Sequence, residues 1–337
     1  MKCLRFAIVF FSLGCTKSSE RVVVYCAQDR EYAEPVFADF TLESKLALAP
    51  KFDTEANKTA SLIAELEAEA KRPRADVHWN NEILGTIRLA RQGLYEPYTS
   101  PSATNFPAFS KSKDGTWQAF AERARVLIVN TNLVPEADRP KSLMDLTDAH
   151  WKGKLAMAKP QFGTMATHAA CVFTAIGSEP AKDWFRKLKA NDVQLAAGNK
   201  PVATGVSEGR FHLGLTDTDD AILEVLAGKP VAMIFLDETA HPQFPNLGTL
   251  FLPNTLALVK GAPNPDGGKR MIDFTLKQEA KLMTAGGYQY PVGTETIPRP
   301  HPLLKTRKEV KPMTVDFDTA ADKWEETQEF LRNEFAR

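Results

Sequence analysis

The sequence predicts an α/β protein that folds into two lobes. At 337 residues, the chain is longer than one ordinary hydrophobic core supports, so two lobes are expected. Short β-branched runs alternate with segments of helical periodicity, and no internal repeat interrupts the alternation. This alternation indicates mixed, mostly parallel sheets with helices on both faces.

Each predicted element has its own signal. The opening run Arg21-Val22-Val23-Val24-Tyr25 is β-branched, and the helix after it has an apolar face within residues 36–40. A later helix over 83–89 stops at Gly93, a residue that commonly terminates helices. The remaining predicted strands cover 75–79, 123–130, 155–158, 211–215, 231–236 and 250–258. The remaining predicted helices cover 57–66, 164–176, 184–188, 273–282 and 318–335.

Composition and charge exclude some classes of partner. Lys plus Arg number 42 and Asp plus Glu number 42, so no global field attracts nucleic acid, and we expect no nucleic-acid partner. Any recognition must be local. Cys26 and Cys171 lie far apart and cannot form a disulfide framework, so both are predicted to be buried free thiols.

The N-terminus has the pattern of a bacterial lipoprotein signal. Lys2 and Arg5 precede the apolar run 6–11, and a segment of small residues then ends at Cys15. The apolar run is too short to cross a bilayer. We therefore expect residues 1–20 to be a signal peptide and tether. Cys15 would carry the lipid and hold the protein at the extracytoplasmic face of the membrane, or in the periplasm.

A set of segments in a fixed order connects the chain to a known family. The segments are VVVYCAQD (22–29), ADVHWNNE (75–82), PKSLMDLTD (140–148) with WKGK (151–154), NTLALVKGAPNP (254–265) and YPVG (290–293). This ordered set resembles the ferric-ion-binding periplasmic proteins, and the resemblance extends from residue 21 to about residue 298. It implies a type II periplasmic-binding-protein fold, in which two α/β lobes joined by a two-segment hinge close on a ligand.

The same resemblance implies a domain organisation and a function. The hinge segments would lie near 123–126 and 237–248. The expected parts are a signal and tether (1–20), lobe 1 (21–122 plus 249–300), lobe 2 (123–248) and a C-terminal wrap and helix (301–337). The implied function is ligand capture for an ABC importer, with permease and ATPase subunits as partners and a monomeric binding protein that is not an enzyme. No resident cofactor is implied; the transported ligand would be Fe(III) or another metal ion with a synergistic anion.

The candidate ligand site lies where the predicted strands end. Ligands of α/β sheets bind beyond the carboxyl ends of the strands, which here carry Asp29, the pair Asn81-Glu82, the turn Gly163-Thr164 and the run Thr216 to Asp220. In the resembling family, the first of these places commonly holds a histidine or tyrosine and the second a glutamate. The place that corresponds to the run Thr216 to Asp220 commonly holds two adjacent tyrosines. This sequence departs from that pattern, since Asn81 occupies the glutamate position and Asp219-Asp220 replace the tyrosines.

The remaining oxygen ligands suggest a cationic group in the site. The candidate metal ligands are Asp29, Glu82, Asp219 and Asp220. Carboxylates suit Fe(III), Mg²⁺, Ca²⁺ or Mn²⁺. They equally suit an organic cation such as a polyamine, through charge-assisted hydrogen bonds. The structural alternative is that Asp217 and Thr218 cap the helix that follows.

A second group of residues favours an anion. The Gly163-Thr164 turn begins a helix, and exposed amides at a helix N-terminus attract negative charge. Arg123 and Arg125 share one strand face, and with Asn199 they lie where the resembling family has anion partners. The alternative for the arginines is a structural ion pair at the hinge. Acid on one wall and anion donors on another would also suit a zwitterion such as an aminophosphonate.

A hydrolase is the remaining alternative. The run 205–209 (GVSEG) matches the nucleophile-elbow pattern around Ser207. That pattern needs a strand before the serine and a helix after it. Here the predicted strand 211–215 follows the serine, so a turn at a helix end explains the run better.

Overall fold

The computed structural model describes residues 21–53, 60–278, 287–293 and 301–335. The predicted signal, Cys15 and the tether lie outside the described residues. The described strands are β1 (Arg21–Cys26), β2 (Ala47–Phe52), β3 (Val77–Asn80), β4 (Tyr95–Glu96), β5 (Gln118–Asn130), β6 (Leu155–Ala158), β7 (Gln194–Ala196), β8 (Leu213–Asp217), β9 (Val231–Ile234), β10 (Phe251–Val259) and β11 (Tyr290–Pro291). The described α-helices are α1 (Arg30–Ser44), α2 (Ala60–Ala68), α3 (Ile83–Arg91), α4 (Gly163–Ile176), α5 (Ser178–Ala190), α6 (Asn199–Ser207), α7 (Thr218–Leu226), α8 (Pro265–Leu276), α9 (Phe317–Asp322) and α10 (Trp324–Glu334).

Strand β5 joins two halves of a continuous sheet. The strand order is β2-β1-β3-β10-β5-β8-β6-β7, with β4 on β10 and with β9 and β11 on β5. The N-terminal part of β5 pairs with β10, and residues 125–129 pair with β8. We call the β2-to-β5 side the first half-sheet and the β5-to-β7 side the second half-sheet. The outer strands pair in parallel, whereas β5 and β10 run antiparallel to their neighbours.

The burial of β5 explains how it can serve both halves. All 13 residues of the strand are buried, and its C-terminal part is the continuous apolar run Val126 to Val129, as expected for a strand covered on both faces. The backbone returns to the first half-sheet through the segment before β10, where the Arg125 N–H donates to the Leu250 carbonyl at 2.8 Å. The chain therefore crosses between the halves at two adjacent places.

The core is continuous between the halves. One cluster contains Ile83 and Leu84 of α3 together with Met165 of α4 and Phe330 and Leu331 of α10. As predicted, Cys26 and Cys171 are both buried, and they form no disulfide with each other. No α-helix in the described part of the chain is long and apolar enough to span a membrane.

The C-terminal helices pack on both halves. Arg91 of α3 forms ion pairs with Asp318 and Asp322 at 3.1 and 2.7 Å. On the other side, Lys182 of α5 pairs with Glu326 at 3.1 Å. The apolar face predicted for this segment is buried at Leu331, which is 0% exposed. The two C-terminal helices together thus join α3 and α5 on the outside of the core.

Removing the Leu331 side chain tests how much this packing stabilises the protein. We expect Leu331→Ala to lower the free energy of unfolding by about 2–5 kcal/mol, because a fully buried leucine leaves a cavity. The matched control is Leu42→Ala, since Leu42 is 71% exposed and its removal should change stability by no more than about 0.5 kcal/mol. Urea denaturation measures both. Equal effects of the two substitutions would contradict this account of the C-terminal helix.

Candidate functional site

One small cavity lies between the half-sheets at the strand ends. Its volume is about 50 Å³, enough for a small ligand or an ion with few waters. The lining residues are Gln28, Asp29, Asn81, Arg123, Ala158, Lys159, Phe162, Gly163, Thr164, Met165, Ala197, Gly198, Asn199, Asp217, Asp219 and Asp220. The structure therefore brings most of the predicted site residues together, and these residues come from both halves.

A buried carboxylate between two arginines forms the floor of this cavity. Arg123 Nε donates to Asp217 Oδ2 at 2.9 Å, and Arg125 Nη1 donates to Asp217 Oδ1 at 2.7 Å. Asn199 Nδ2 also donates to Asp217 Oδ2, at 2.9 Å. Burial alone would raise the pKa of Asp217, but Arg125 and Arg123 outweigh it and hold the pKa below its ordinary value. Asp217 is therefore charged and fully engaged.

The strand register explains why these three side chains meet. Arg125 is directly opposite Asp217 in the antiparallel β5–β8 pair, and Arg123, two residues earlier, projects from the same face. Arg123 additionally donates to Thr164 Oγ1 at 2.7 Å and to the Asn81 carbonyl at 2.8 Å. Arg123 thus contacts residues on both sides of the cavity.

Two helix N-termini form the wall that favours an anion. Neither α4 nor α6 has a side-chain cap at its first turn, and Gly163, Thr164, Gly198 and Asn199 all line the cavity. Gly163 has φ +52°, a left-handed conformation that glycine adopts without the strain of a side chain. Backbone amides and the positive ends of two helix dipoles therefore face the ligand space.

Aspartate carboxylates form the side of the cavity that favours a cation. Carboxylate oxygens of Asp217, Asp219 and Asp220 lie within 4.8 Å of one another, and Asp29 lines the same cavity from the first half-sheet. Asp217 is neutralised by the arginines, and the other carboxylates that line the cavity are those of Asp29, Asp219 and Asp220. Carboxylates at this spacing can coordinate a metal ion or bind an ammonium group.

Glu82 was predicted to be a metal ligand, but it does not line the cavity. Its carboxylate caps α3, accepting from the Leu84 N–H at 2.8 Å and the Gly85 N–H at 2.6 Å. The Thr167 hydroxyl of α4 donates to the same carboxylate. Burial raises the pKa of Glu82, opposed by these three hydrogen bonds. Because the capping contacts turn the side chain toward its own helix, Asn81 is the residue that lines the cavity.

Three other predicted residues have contacts different from those expected. Arg125 is 3% exposed and lies behind Asp217, where it donates to Asn199 Oδ1 at 3.0 Å. Thr216 is fully buried and donates to the Asn199 carbonyl at 3.1 Å. Neither residue lines the cavity. Asp217 occupies the N-cap position of α7 without a side-chain capping bond, so the arginines, not the helix, hold its carboxylate.

Sequence reasoning missed several cavity residues. Gln28 lies beside Asp29 after β1, and Lys159 and Phe162 lie between β6 and Gly163. The signal available for all three was position, since each lies in the short segment between a predicted strand and the candidate residue that follows it. Nothing in the pattern of the sequence distinguished them from ordinary loop residues.

Fold and cavity together define a two-lobed solute-binding protein, with its ligand space at the strand ends of both lobes. The chain belongs to the family of bacterial extracellular solute-binding proteins, whose family model matches residues 87–323. Members of this family bind small ligands and work with ABC permease and ATPase components. The resemblance to ferric-ion-binding periplasmic proteins is thereby confirmed, and so is the role in substrate binding.

Individual relatives are named for two kinds of ligand. Iron uptake protein A1 of Synechocystis sp. is 25% identical over 279 residues, covering 81% of this chain and 76% of its own. A putative 2-aminoethylphosphonate-binding periplasmic protein of Salmonella typhimurium is 25% identical over 247 residues, covering 70% and 68%. The crystal structure of iron-bound HitA from Pseudomonas aeruginosa superposes with a TM-score of 0.82 at 22% identity, covering 93% of this chain and 99% of HitA. The type II periplasmic-binding-protein fold is confirmed.

Neutralising Asp217 tests the floor of the cavity. Asp217→Asn leaves two buried guanidinium groups without their carboxylate, so we expect the free energy of unfolding at pH 7 to fall by about 3–5 kcal/mol. Because the folded pKa of Asp217 is lowered, its contribution is complete above the ordinary value of about 3.9 and is lost as the pH falls through the folded pKa. Urea denaturation at pH 7 and below pH 3.9 measures both effects.

The matched control is Asp219→Asn, which changes a partly exposed member of the same cluster. It should change stability by no more than about 1 kcal/mol. Equal losses in the two variants, or a difference between wild type and Asp217→Asn that stays constant into acid, would contradict the assigned role.

Proposed function

We propose that this protein captures a metal ion together with an anion, as an exported receptor that delivers the pair to an ABC permease. The observation that carries the proposal is the division of one cavity into two walls. Asp29, Asp219 and Asp220 supply hard oxygen ligands on one side, and the uncapped starts of α4 and α6 supply amide donors on the other. A ligand with only one sign of charge leaves one wall unsatisfied.

Iron is the first metal to test, since one relative is named for iron uptake and a similar structure is iron-bound. Fe(III) prefers hard oxygen donors, and carboxylates provide them. The adjacent tyrosines of the resembling family are replaced here by Asp219 and Asp220. The proposed coordination therefore relies on carboxylates, which also accommodate Mn²⁺ or Ca²⁺.

A zwitterion such as an aminophosphonate is the second candidate. The observation that favours it is the engagement of Asp217 by Arg123 and Arg125, which leaves fewer carboxylates for a highly charged metal. A phosphonate would bind the helix starts, and an ammonium would bind the aspartates. The relative in Salmonella typhimurium supports this class.

Closure of two lobes around the ligand would complete the site. We propose lobes of 21–122 plus 249–300 and of 123–248, with a hinge at 123–126 and 237–248 and a C-terminal wrap at 301–337. Lys200 of α6 pairs with Glu31 of α1 at 3.3 Å, a contact between the proposed lobes. Ligand must bind the closed form better than the open form for closure to be driven.

The proposed role is binding without turnover. Ser207 ends α6, and its hydroxyl donates to the Thr204 carbonyl at 3.0 Å, which is an ordinary helix-end contact. A lipid on Cys15 would hold a monomeric receptor at the extracytoplasmic face, near its permease. A Ser207→Ala variant should therefore bind ligand as the wild type does, and neither form should hydrolyse esters.

Thermal-shift measurements on the mature protein test the ligand class. We expect stabilisation by Fe(III) with phosphate or carbonate, by Mn²⁺ with phosphate, or by 2-aminoethylphosphonate, and none by phosphate or a polyamine alone. At a hundredfold excess over Kd, a ligand stabilises by about 2.7 kcal/mol. The double substitution Asp219→Asn with Asp220→Asn should weaken binding of the stabilising ligand at least about tenfold.

Asp183→Asn, in an exposed carboxylate of α5, serves as the matched control and should leave ligand binding unchanged. Stabilisation by phosphate alone, or full binding by the double variant, would show that the aspartate wall does not contact the ligand. Fe(III) and the aminophosphonate are distinguished directly by which of them shifts the melting temperature.

A further inference from the structure

A closed ring of buried polar groups lies on the side of the cavity formed by the first half-sheet. Arg123 donates to Asn254 Oδ1 at 2.6 Å, and Asn254 Nδ2 donates to Gln289 Oε1 at 2.8 Å. Gln289 Nε2 donates to Gln28 Oε1 at 3.2 Å, and Asn81 Nδ2 donates to the same oxygen at 2.6 Å. Arg123 closes the ring by donating to the Asn81 carbonyl at 2.8 Å.

Every amide in this ring takes its orientation from Arg123. A guanidinium only donates hydrogen bonds, so Asn254 must present its oxygen to Arg123 and its nitrogen to Gln289. Gln289 must then present its oxygen to Asn254 and its nitrogen to Gln28. Gln28 in turn presents its oxygen, which requires Asn81 to present its nitrogen. Reversing one amide would bring two donors or two acceptors face to face.

One consequence concerns the remaining atom of Asn81. Asn81 is 7% exposed and lines the ligand cavity. Its Oδ1 is buried and has no hydrogen-bond partner among the residues that the structure describes. A buried acceptor without a partner is costly, so such atoms usually find a donor. The ring prevents this oxygen from exchanging places with the satisfied nitrogen.

The neighbouring groups narrow the choice of donor. Asp29, Asp219 and Asp220 line the same cavity, and their carboxylates favour a cationic group close to Asn81. We propose that Asn254 and Gln289 are positioning residues, which hold Asn81 Oδ1 toward the cavity as an acceptor for the positive part of the ligand. This proposal rests on the proposed function. An ammonium would donate a hydrogen bond to Asn81 Oδ1, and a metal ion would take it as a neutral oxygen ligand.

The test compares ligands that differ only in their positive part. The probes are 2-aminoethylphosphonate against ethylphosphonate, and Mn²⁺ or Fe(III) with phosphate against phosphate alone, all measured by isothermal titration calorimetry. Cation selectivity is the ratio of the two Kd values in each pair. The probe pair for which the wild type is selective identifies the source of the positive charge.

Gln289→Met should lower this selectivity about tenfold or more while changing the affinity for the anion-only probe less than about twofold. The reason is that Gln28 and Asn81 can then reverse together and present Asn81 Nδ2 to the ligand. Gln118→Met is the matched control. Gln118, in β5, is buried as Gln289 is, but it donates hydrogen bonds to Ser110 and Ala119, outside the ring. It should lower the melting temperature without changing selectivity.

A second variant separates orientation from general damage. In Asn81→Asp, both terminal atoms are oxygens, so an acceptor faces the ligand whichever way the group turns. Adding Gln289→Met to this background should leave selectivity within about twofold. A selectivity loss as large as in the Asn81 protein, or an equal loss for both probes of a pair, would overturn the positioning role.

The two proposals fail in different ways. A wild-type protein that binds a cation-containing probe selectively, with unchanged selectivity in Gln289→Met, supports the proposed function and overturns the inference. A wild-type protein with no preference for the cation in either probe pair overturns the proposed function and the inference together.

Discussion

The ion cluster of Arg123, Arg125 and Asp217 is the interaction on which the rest of the site depends. Two guanidinium groups on a fully buried strand require a compensating carboxylate, and β8 supplies it in register with Arg125. Because β5 belongs to both half-sheets, the cluster lies where the two half-sheets meet. It fixes the cavity floor and, through Arg123, reaches Thr164 on one side and Asn81 on the other.

The cluster also determines which charges remain for a ligand. With Asp217 held by Arg123 and Arg125, a ligand meets the other aspartates, two helix starts and the amides around Asn81. Arg123 of this cluster also donates hydrogen bonds to the amide ring and thereby sets the orientation of each side-chain amide in it. One side of the cavity therefore favours a cationic group and the other favours an anionic group, although the whole chain has a formal net charge of zero.

Much of this architecture was predictable because strand ends leave a local signal. The β-branched runs located the strands, and the polar residues after them, such as Asp29 and Asp219, were expected at one edge. Glu82 was expected in the cavity, but its carboxylate caps α3 and the neighbouring Asn81 lines the cavity instead. Composition does not show which of two adjacent residues caps a helix. Asn254 and Gln289 had no signal, since they meet Arg123 and Gln28 only through contacts more than a hundred residues apart in sequence and single buried amides look like any polar residue.

Helix α4 contacts both the cavity and the start of α3. Thr164 and Thr167 lie three residues apart, so both project from one face of the helix. Thr164 lines the cavity and accepts from Arg123, while Thr167 donates to Glu82, the cap of α3. The face of α4 that borders the cavity is therefore the same face that contacts the cap of α3. Glu82 therefore joins the start of α3 to α4 without itself lining the cavity.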